Sequence, residues 1–373
     1  MKKILTVLGA VAILASCNKE ATGYTITGET KGLKDGDKVY IEKIDIATGN
    51  AVAIDSTEIK DNAFTFKGTA TLLDQNFINF GKEKGRLPFV LENGNIVVHY
   101  DVDKIENSSV TGTKNNDEYS AFTKKTDELE KAIYQYQGDN QEAYKQAAEA
   151  KDQVKKDAII NGYMALAEKY EEYVESYIDA NPSNFTTLTY LAKSTDQYLK
   201  EELQEKYGKI DETLKQSTVA KALKTAIDAI PDAKVKIGDI APDFSAKSPE
   251  GKEISLKESL GKITIIDFWA SWCGPCRSEN PKVVALYEKY HEQGLNIIGV
   301  SLDKDKTKWV DAIAADKLTW NHISNLKGWE EPIAQAYEVK AIPATFILDA
   351  NGKVVAKNLR GKKLEAKVQE LLK

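Results

Sequence analysis

The sequence predicts a multidomain protein with an N-terminal antiparallel β-sandwich, a middle all-α segment and a C-terminal α/β domain. Its 373 residues, 42% of them hydrophobic, are enough to build two or three separate cores. Short stretches of alternating polarity, broken by Gly, Asn and Asp, fill the first third, and strong helix formers fill the second. The last third contains a continuous apolar run followed directly by a helical pattern, which is typical of a buried strand leading into a helix.

Charge and composition exclude several classes of protein. The chain has 29% charged residues, a net charge of −6 and no long basic block. Collagen-like, disordered and polytopic membrane proteins have other compositions. Because a nucleic-acid-binding protein normally presents a basic face, we expect no nucleic acid among the partners.

The N-terminus has the pattern of an export signal, which we assign to residues 1–16. Two lysines precede a run of about a dozen apolar or small residues, too few to span a bilayer as a helix. The run ends Leu14-Ala15-Ser16-Cys17, which resembles the bacterial lipobox. This resemblance implies lipid on Cys17, a lipidated tether at 17–22 and a membrane-anchored place in the bacterial cell envelope, facing the periplasm or the surface. The alternative is an ordinary secretory signal with an unrelated Cys.

Residues 23–115 predict the β-sandwich. Short runs that end at Ile41, Phe66 and Tyr100 are spaced as in a small antiparallel sandwich. Asp61-Asn62 and Asn93-Gly94 stand where hairpin turns are expected. No catalytic group of residues is visible here, and a single strand histidine such as His99 is expected to be a surface or packing residue.

Residues 116–230 predict a helical domain. The stretch 116–180 lacks Pro and is rich in Ala, Glu, Lys and Gln, and its apolar residues recur at helical spacing. Asn181-Pro182-Ser183 ends that helix, and Ser183 is expected to cap the next one. A linker at 231–238 then leads to the C-terminal domain at 239–373.

The candidate chemistry lies in the C-terminal domain. The apolar run Ile263–Trp269 leads into Cys273-Gly-Pro-Cys276 and a helical pattern, so the cysteines stand at a strand-to-helix junction. The helix dipole and the free N–H groups there stabilise a thiolate at Cys273 and lower its pKa. We therefore expect Cys273 to attack a disulfide and the more buried Cys276 to resolve the mixed disulfide. A zinc site needs four ligands and no second C-x-x-C exists, so we expect neither a metal nor another cofactor.

These residues resemble the thioredoxin superfamily, in particular the membrane-tethered TlpA/ResA-like thiol-disulfide oxidoreductases. Trp272-Cys-Gly-Pro-Cys276 has the thioredoxin form of the motif, and Pro343 in Ala341-Ile-Pro matches the family's cis-proline. The resemblance implies a thioredoxin fold for 239–373, a redox-active disulfide and a substrate strand paired to the Ile342 backbone. Residues 23–230 resemble the β and helical domains that precede thioredoxin modules in some bacterial lipoproteins. The resemblance implies these substrate-binding residues: Trp272, Gly274, Pro275, Ile342 and Pro343.

Asp267 is the candidate proton acceptor. It interrupts the apolar strand six residues before Cys273, where thioredoxin keeps a buried acid. Burial raises the pKa of such a carboxyl group, which could then take the proton of Cys276. Some tethered relatives instead have an amide at this place and a Glu elsewhere. The alternative is an Asp held by backbone hydrogen bonds, with no part in proton transfer.

The remaining aromatic residues are expected to have structural roles. Trp272 stands beside the cysteines and is a candidate for substrate contact. Trp309, Trp320 and Trp329 are expected to pack in the core or in the inserted segment, and His322 is expected to be structural.

We therefore expect an extracytoplasmic, lipid-anchored thiol-disulfide oxidoreductase that reduces or isomerises protein disulfides. An upstream membrane thiol electron donor is implied by analogy with the family. A peroxidase is disfavoured, because Ala270 stands where peroxiredoxin-like motifs carry Thr. The alternative from another class is a partner-binding surface lipoprotein in which residues 23–230 carry the main function.

Overall fold

The computed structural model describes residues 21–45, 48–81, 84–150 and 152–373. The predicted signal peptide at 1–16 and Cys17 lie outside the described residues. These described residues divide into two compact units, one of the residues up to 126 together with 176–230, the other of the residues in 127–175 and 231–373. The helical segment predicted at 116–230 is therefore shared between the units, because its middle part packs with the C-terminal residues.

The described part of the first unit begins with eight strands. Their bounds are β1 (Tyr24–Lys31), β2 (Lys38–Ile44), β3 (Ala51–Glu58), β4 (Ala63–Gly68), β5 (Asp74–Asn79), β6 (Arg86–Leu91), β7 (Gly94–Asp101) and β8 (Ser109–Thr111). They form two four-stranded sheets, in the orders β4-β1-β7-β8 and β3-β2-β5-β6. Neighbouring strands are antiparallel, except β1 and β7, which run parallel with Ile26 opposite Ile96.

One hydrophobic core joins the two sheets. Alternate residues of the strands point into it, as in β1, where every second side chain from Tyr24 is buried. Ile26 and Ile96 of one sheet and Ile41 and Ile78 of the other are fully buried in the same cluster. The predicted sandwich is thereby confirmed.

Five described helices follow the sandwich: α1 (Lys114–Glu149), α2 (Gln153–Ala180), α3 (Phe185–Lys193), α4 (Lys200–Gly208) and α5 (Thr218–Ala229). The first two run through both units. Asn184, rather than the expected Ser183, caps α3, and its side-chain oxygen accepts the Thr187 N–H at 2.8 Å. The expected cap was one residue early, because Ser183 Oγ instead accepts the N–H of Asp211.

The second unit contains an α/β domain with these described elements: β9 (Ser245–Lys247), β10 (Glu253–Ser255), β11 (Ile263–Trp269), α6 (Gly274–Tyr290), β12 (Leu295–Ser301), α7 (Lys306–Ala315), β13 (Asn321–Ile323), α8 (Pro332–Ala336), β14 (Ala344–Asp349), β15 (Val354–Lys357) and α9 (Gly361–Leu372). Its five-stranded sheet has the order β13-β12-β11-β14-β15. β11 runs parallel to β12 and antiparallel to β14. All seven residues of β11 are buried, as a central strand covered on both faces requires.

The expected fold class is confirmed in its three parts: a β-rich N-terminal region, a helical middle segment and a C-terminal thioredoxin-like α/β domain. Among the described residues, no helix has both the length and the apolar character needed to cross a membrane.

Candidate active site

The two cysteines lie where β11 passes into α6. Cys273 is the N-cap residue of α6, and its Sγ lies 3.2 Å from the backbone nitrogen of Cys276. Pro275 occupies the first turn, where its missing N–H breaks no helical hydrogen bond. The two sulfur atoms form a disulfide bond, so the structure represents the oxidised state. Both residues are buried, Cys273 to 5% exposure and Cys276 to 2%.

The loop before β14 contacts the disulfide. The peptide bond between Ile342 and Pro343 is cis, and the Ile342 carbonyl oxygen lies 3.8 Å from Cys273 Sγ. Arg360 Nη2 donates a hydrogen bond to the Pro343 carbonyl oxygen at 2.6 Å. The structure thus brings together the cysteine pair and a loop that is distant from it in the sequence.

Two exposed tryptophans lie near the cysteine loop. Trp272 is 56% exposed, and its ring centre lies 6.2 Å from that of Trp329, which is 47% exposed. Of the two expected places for Trp329, the core is therefore excluded and the inserted segment remains. Trp309 and Trp320 are buried, as expected.

Asp267 lines a small cavity behind the disulfide. The cavity has a volume of about 20 Å³, and Cys276, Glu279, Pro343 and Arg360 also line it. Burial raises the pKa of Asp267 to about 7. The nearby charge of Arg360 lowers this pKa and that of Glu279 raises it, both by less than burial does. The carboxyl group can therefore exchange a proton near neutral pH.

Glu279 and Arg360 were missed by the sequence analysis. Glu279 lies one turn after Cys276 on α6, and its carboxylate accepts the Gly361 N–H at 2.9 Å. Its position three residues after Cys276 could have indicated that the two side chains lie close together, because residues i and i+3 share a helix face. Arg360 stands between β15 and α9, and nothing local in the sequence marks it.

Asp303 holds the backbone before the cysteines. Its buried carboxylate accepts the Ser271 N–H at 2.9 Å, the Ser271 hydroxyl at 2.5 Å and the Ser301 hydroxyl at 2.8 Å. Three donors on one carboxylate fix the position of the loop that carries Trp272 and Cys273.

Arg277 connects the first turns of α6 to the same loop. It forms a bidentate ion pair with Asp316, and it donates a hydrogen bond to the Ser271 carbonyl oxygen at 3.3 Å. Asn280 donates to the same Asp316 carboxylate at 2.6 Å. These contacts make the cysteine loop a rigid part of the domain.

His322 is buried between Trp269 and Trp320. Burial lowers its pKa to about 3, so the ring is neutral. Neither ring nitrogen has a hydrogen-bond partner among the described residues. The described residues also contain no group of three or more His, Cys, Asp or Glu side chains that could hold a metal ion.

Comparison with known proteins identifies the family. The family model described as AhpC/TSA matches residues 237–357. A thiol-disulfide oxidoreductase ResA from Bacillus thuringiensis subsp. konkukian is 34% identical over 142 residues, which are 38% of this chain and 80% of that relative. The chain belongs to the ResA family of thiol-disulfide oxidoreductases. The ResA of Bacillus anthracis is similar too, with 36% identity over 130 residues, 33% of this chain and 69% of that relative.

Solved structures of thiol-disulfide oxidoreductases are also similar to parts of this ResA-family chain. The thioredoxin domain of one from Bacteroides vulgatus is 31% identical, with a TM-score of 0.36 over 38% of this chain and 100% of that chain. One from Bacteroides fragilis is 29% identical, with a TM-score of 0.34 over 36% of this chain and 99% of that chain.

Two further family models match the N-terminal part. Residues 24–119 match a model described as a domain of unknown function, DUF4369. Residues 1–18 match the prokaryotic membrane lipoprotein lipid attachment site. The expected resemblance is confirmed: this ResA-family protein is a thiol-disulfide oxidoreductase with a lipoprotein attachment site at its N-terminus.

Proposed function

We propose that this protein reduces or isomerises disulfide bonds of client proteins through Cys273 and Cys276. One observation carries the proposal: the cysteine pair stands at the start of α6, with the Ile342 carbonyl oxygen 3.8 Å from Cys273 Sγ. The Ile342 carbonyl oxygen beside the reactive sulfur offers a hydrogen-bond acceptor to an extended client segment. The proposed substrate-binding surface also includes the sequence neighbours of Cys273 and Ile342, which are Trp272, Gly274, Pro275 and Pro343.

The reaction requires the reduced protein. The Cys273 thiolate attacks one sulfur of the client disulfide, a mixed disulfide forms, and the other client sulfur leaves as a thiolate. The Cys276 thiolate then attacks Cys273 Sγ, which restores the Cys273–Cys276 disulfide and releases the second client thiolate. Two electrons and two protons pass from the protein dithiol to the client in each cycle. The free N–H groups at the start of α6 favour the thiolate of Cys273.

Asp267 is proposed to accept the proton of Cys276. Both residues line the same cavity, and burial gives Asp267 a pKa of about 7. A base whose pKa lies near the working pH is suited to proton transfer. The cavity volume of about 20 Å³ is large enough for one water molecule, which could carry the proton between the two side chains.

The proposed location is the outer side of a bacterial membrane, with lipid on Cys17 as the anchor. The lipid attachment match at residues 1–18 supports the anchor. Because each reduced client leaves the Cys273–Cys276 pair oxidised, the cycle needs a dithiol electron donor. An upstream membrane thiol protein is proposed for this role by analogy with the family.

The first experiment measures the reduction potential of the full chain in detergent, equilibrated against glutathione. A value near that of thioredoxin, about −270 mV, supports a reductase that needs a donor. A value near −120 mV overturns this proposal in favour of an oxidant of exported proteins.

A trapping experiment tests the roles of the cysteines. Cys276→Ser is expected to accumulate mixed disulfides with clients, because the resolving thiol is absent, and Cys273→Ser is expected to accumulate none. Capture of the same proteins by Cys273→Ser would instead favour the partner-binding lipoprotein, in which residues 23–230 carry the function.

A further inference from the structure

A helical arm, defined as residues 127–175 of α1 and α2, belongs to the same compact unit as the cysteine pair. Within the arm, the Tyr136 hydroxyl donates a hydrogen bond to the Ile159 carbonyl oxygen at 3.2 Å, which joins the two helices. The arm lies far upstream of the thioredoxin-like domain in sequence. Its contacts with that domain reach the active site itself.

Ile160 of the arm packs on the glycine between the two cysteines. A methyl group placed on the Cα of Gly274 would lie 3.0 Å from Ile160 Cδ1. This is closer than ordinary van der Waals contact, so the side chain of Ile160 rests directly on the backbone of Gly274. An apolar side chain of the arm therefore forms part of the immediate surroundings of the reactive disulfide.

Charged pairs fix the arm in this position. Glu168 lies 3.1 Å from Lys282 on α6, Glu172 lies 2.8 Å from Lys362, and Glu175 lies 3.2 Å from Lys363. The three acids are spaced four and three residues apart, so they share one face of α2. The pairs are largely solvent-exposed, and exposed pairs are individually weak. The arm is thus held by several small contributions, each of which a substitution can remove.

Access to the attacking sulfur is narrow. Cys273 is 5% exposed although Trp272 beside it is 56% exposed. Ile160 covers the Gly274 side of the motif, and the Ile342 carbonyl oxygen lies 3.8 Å from the sulfur. An extended client segment is about 5 Å wide, which is the spacing of neighbouring strands in a sheet. We therefore expect a folded client surface to meet Ile160 before its disulfide reaches Cys273.

We propose that the helical arm determines specificity: through Ile160 it forms a wall of the client site that admits disulfides in extended segments and hinders those on folded surfaces. This inference rests on the proposed function and names the class of client. The arm acts on substrate choice, while Cys273 and Cys276 perform the exchange.

The test compares a small and a large reagent on the reduced full chain in detergent. The rates of Cys273 alkylation by N-ethylmaleimide and by a 5-kDa polyethylene-glycol maleimide are measured, with the labelled cysteine identified by peptide mass spectrometry. Glu172→Lys removes the pair with Lys362 and is expected to raise the large-to-small rate ratio about two- to five-fold, the range that loss of an exposed ion pair allows.

Three matched variants control this result. Glu171→Lys makes the same charge change one residue away, at an exposed side chain with no ion pair among the described residues, and should leave the ratio unchanged. Glu172→Lys combined with Lys362→Glu re-forms the pair in reverse and should restore the wild-type ratio. Ile160→Ala is expected to raise the ratio too, whereas Val154→Ala, at a position of α2 that is 82% exposed, is not.

The same variants are then assayed for reduction of oxidised glutathione and of insulin. A rise in the insulin-to-glutathione rate ratio for Glu172→Lys and Ile160→Ala supports the inference. Unchanged ratios in both variants, with glutathione reduced normally, would overturn the inference and leave the proposed function standing. If the wild type reduces neither oxidised glutathione nor insulin, that result counts against the proposed function. The comparison of the two maleimides would still decide whether the arm restricts access to Cys273.

Discussion

Asp267→Asn removes a buried ionisable group beside Cys276, and its effect on stability can be worked out from the structure. Burial raises the pKa of Asp267 from the ordinary 3.8 to about 7. Because one pKa unit corresponds to about 1.4 kcal/mol, the ionised carboxylate costs the folded state on the order of 4 kcal/mol above pH 7. Asn has a similar shape and no charge, so this cost disappears in the variant.

The sign of the pH dependence follows from counting protons. Between the ordinary pKa and the raised one, the folded state keeps a proton that the unfolded state has lost. The contribution of Asp267 to the wild-type free energy of unfolding therefore falls as the pH rises through this window. From pH 5 to pH 8 the loss is about 3 kcal/mol, and we expect the stability difference between Asp267→Asn and wild type to grow by that amount.

The assay is urea unfolding of the oxidised full chain, followed by tryptophan fluorescence. All five tryptophans lie in the C-terminal domain, so the signal reports on the domain that contains Asp267. Asp311→Asn, at an exposed position of α7, is the control and should follow the wild type. If the curves of free energy against pH for Asp267→Asn and wild type run parallel from pH 5 to pH 8, the raised pKa and the argument from it are refuted.

Three further substitutions test the surroundings of the site by the same assay. Burial lowers the pKa of His322 to about 3, so the contribution of His322 to wild-type stability should fall below pH 6.5, by about 3 kcal/mol at pH 4, and the stability of His322→Phe relative to wild type should rise by that amount. Asp303→Ala leaves three donors without their buried acceptor and should cost about 2–4 kcal/mol, compared with about 1 kcal/mol for Asp305→Ala, which removes only a helix cap. Asp316→Ala leaves the partly buried Arg277 without its carboxylate partner and should lower the free energy of unfolding by about 3–5 kcal/mol. A double variant in which Met and Leu replace both Arg277 and Asp316 should lose less stability, because it leaves no unpaired charge. A double variant as unstable as the single one would contradict this last expectation.

The sequence was most informative where the chemistry is local. The apolar run of β11, the two cysteines and the following helix are adjacent in sequence, so their junction could be predicted from residue order alone. Asp267 could be singled out because one acid in a buried strand conflicts with its surroundings. Its neighbour Arg360 could not be, since only the fold brings the start of α9 to the cavity.

Tertiary pairing was harder to predict. Asn93-Gly94 does form a turn, with Gly94 at a φ of 137°, but it joins β6 and β7, which belong to different sheets. Turn chemistry fixes the direction of the backbone and does not specify which strands pair. Trp329 shows the same limit, because composition cannot tell a buried tryptophan from one that pairs with an exposed neighbour.

The helical arm extends this point to function. Its helices could be expected from their composition and spacing, but an amphipathic face does not identify the surface that it covers. The structure places Ile160 of that face on Gly274, within the motif that performs the exchange.

The cavity beside Cys276 supports the proposal that Asp267, rather than Glu279, is the proton acceptor. Both acids line it, together with the single cation of Arg360. Glu279 accepts a backbone N–H and lies 3.6 Å from Lys282, so its carboxylate already has two partners. No described residue donates a hydrogen bond to Asp267, and the negative charge of Glu279 raises its pKa further. We therefore propose that the proton released by Cys276 goes to Asp267, the acid with fewer contacts, and that the charge of Glu279 assists by raising the pKa of Asp267.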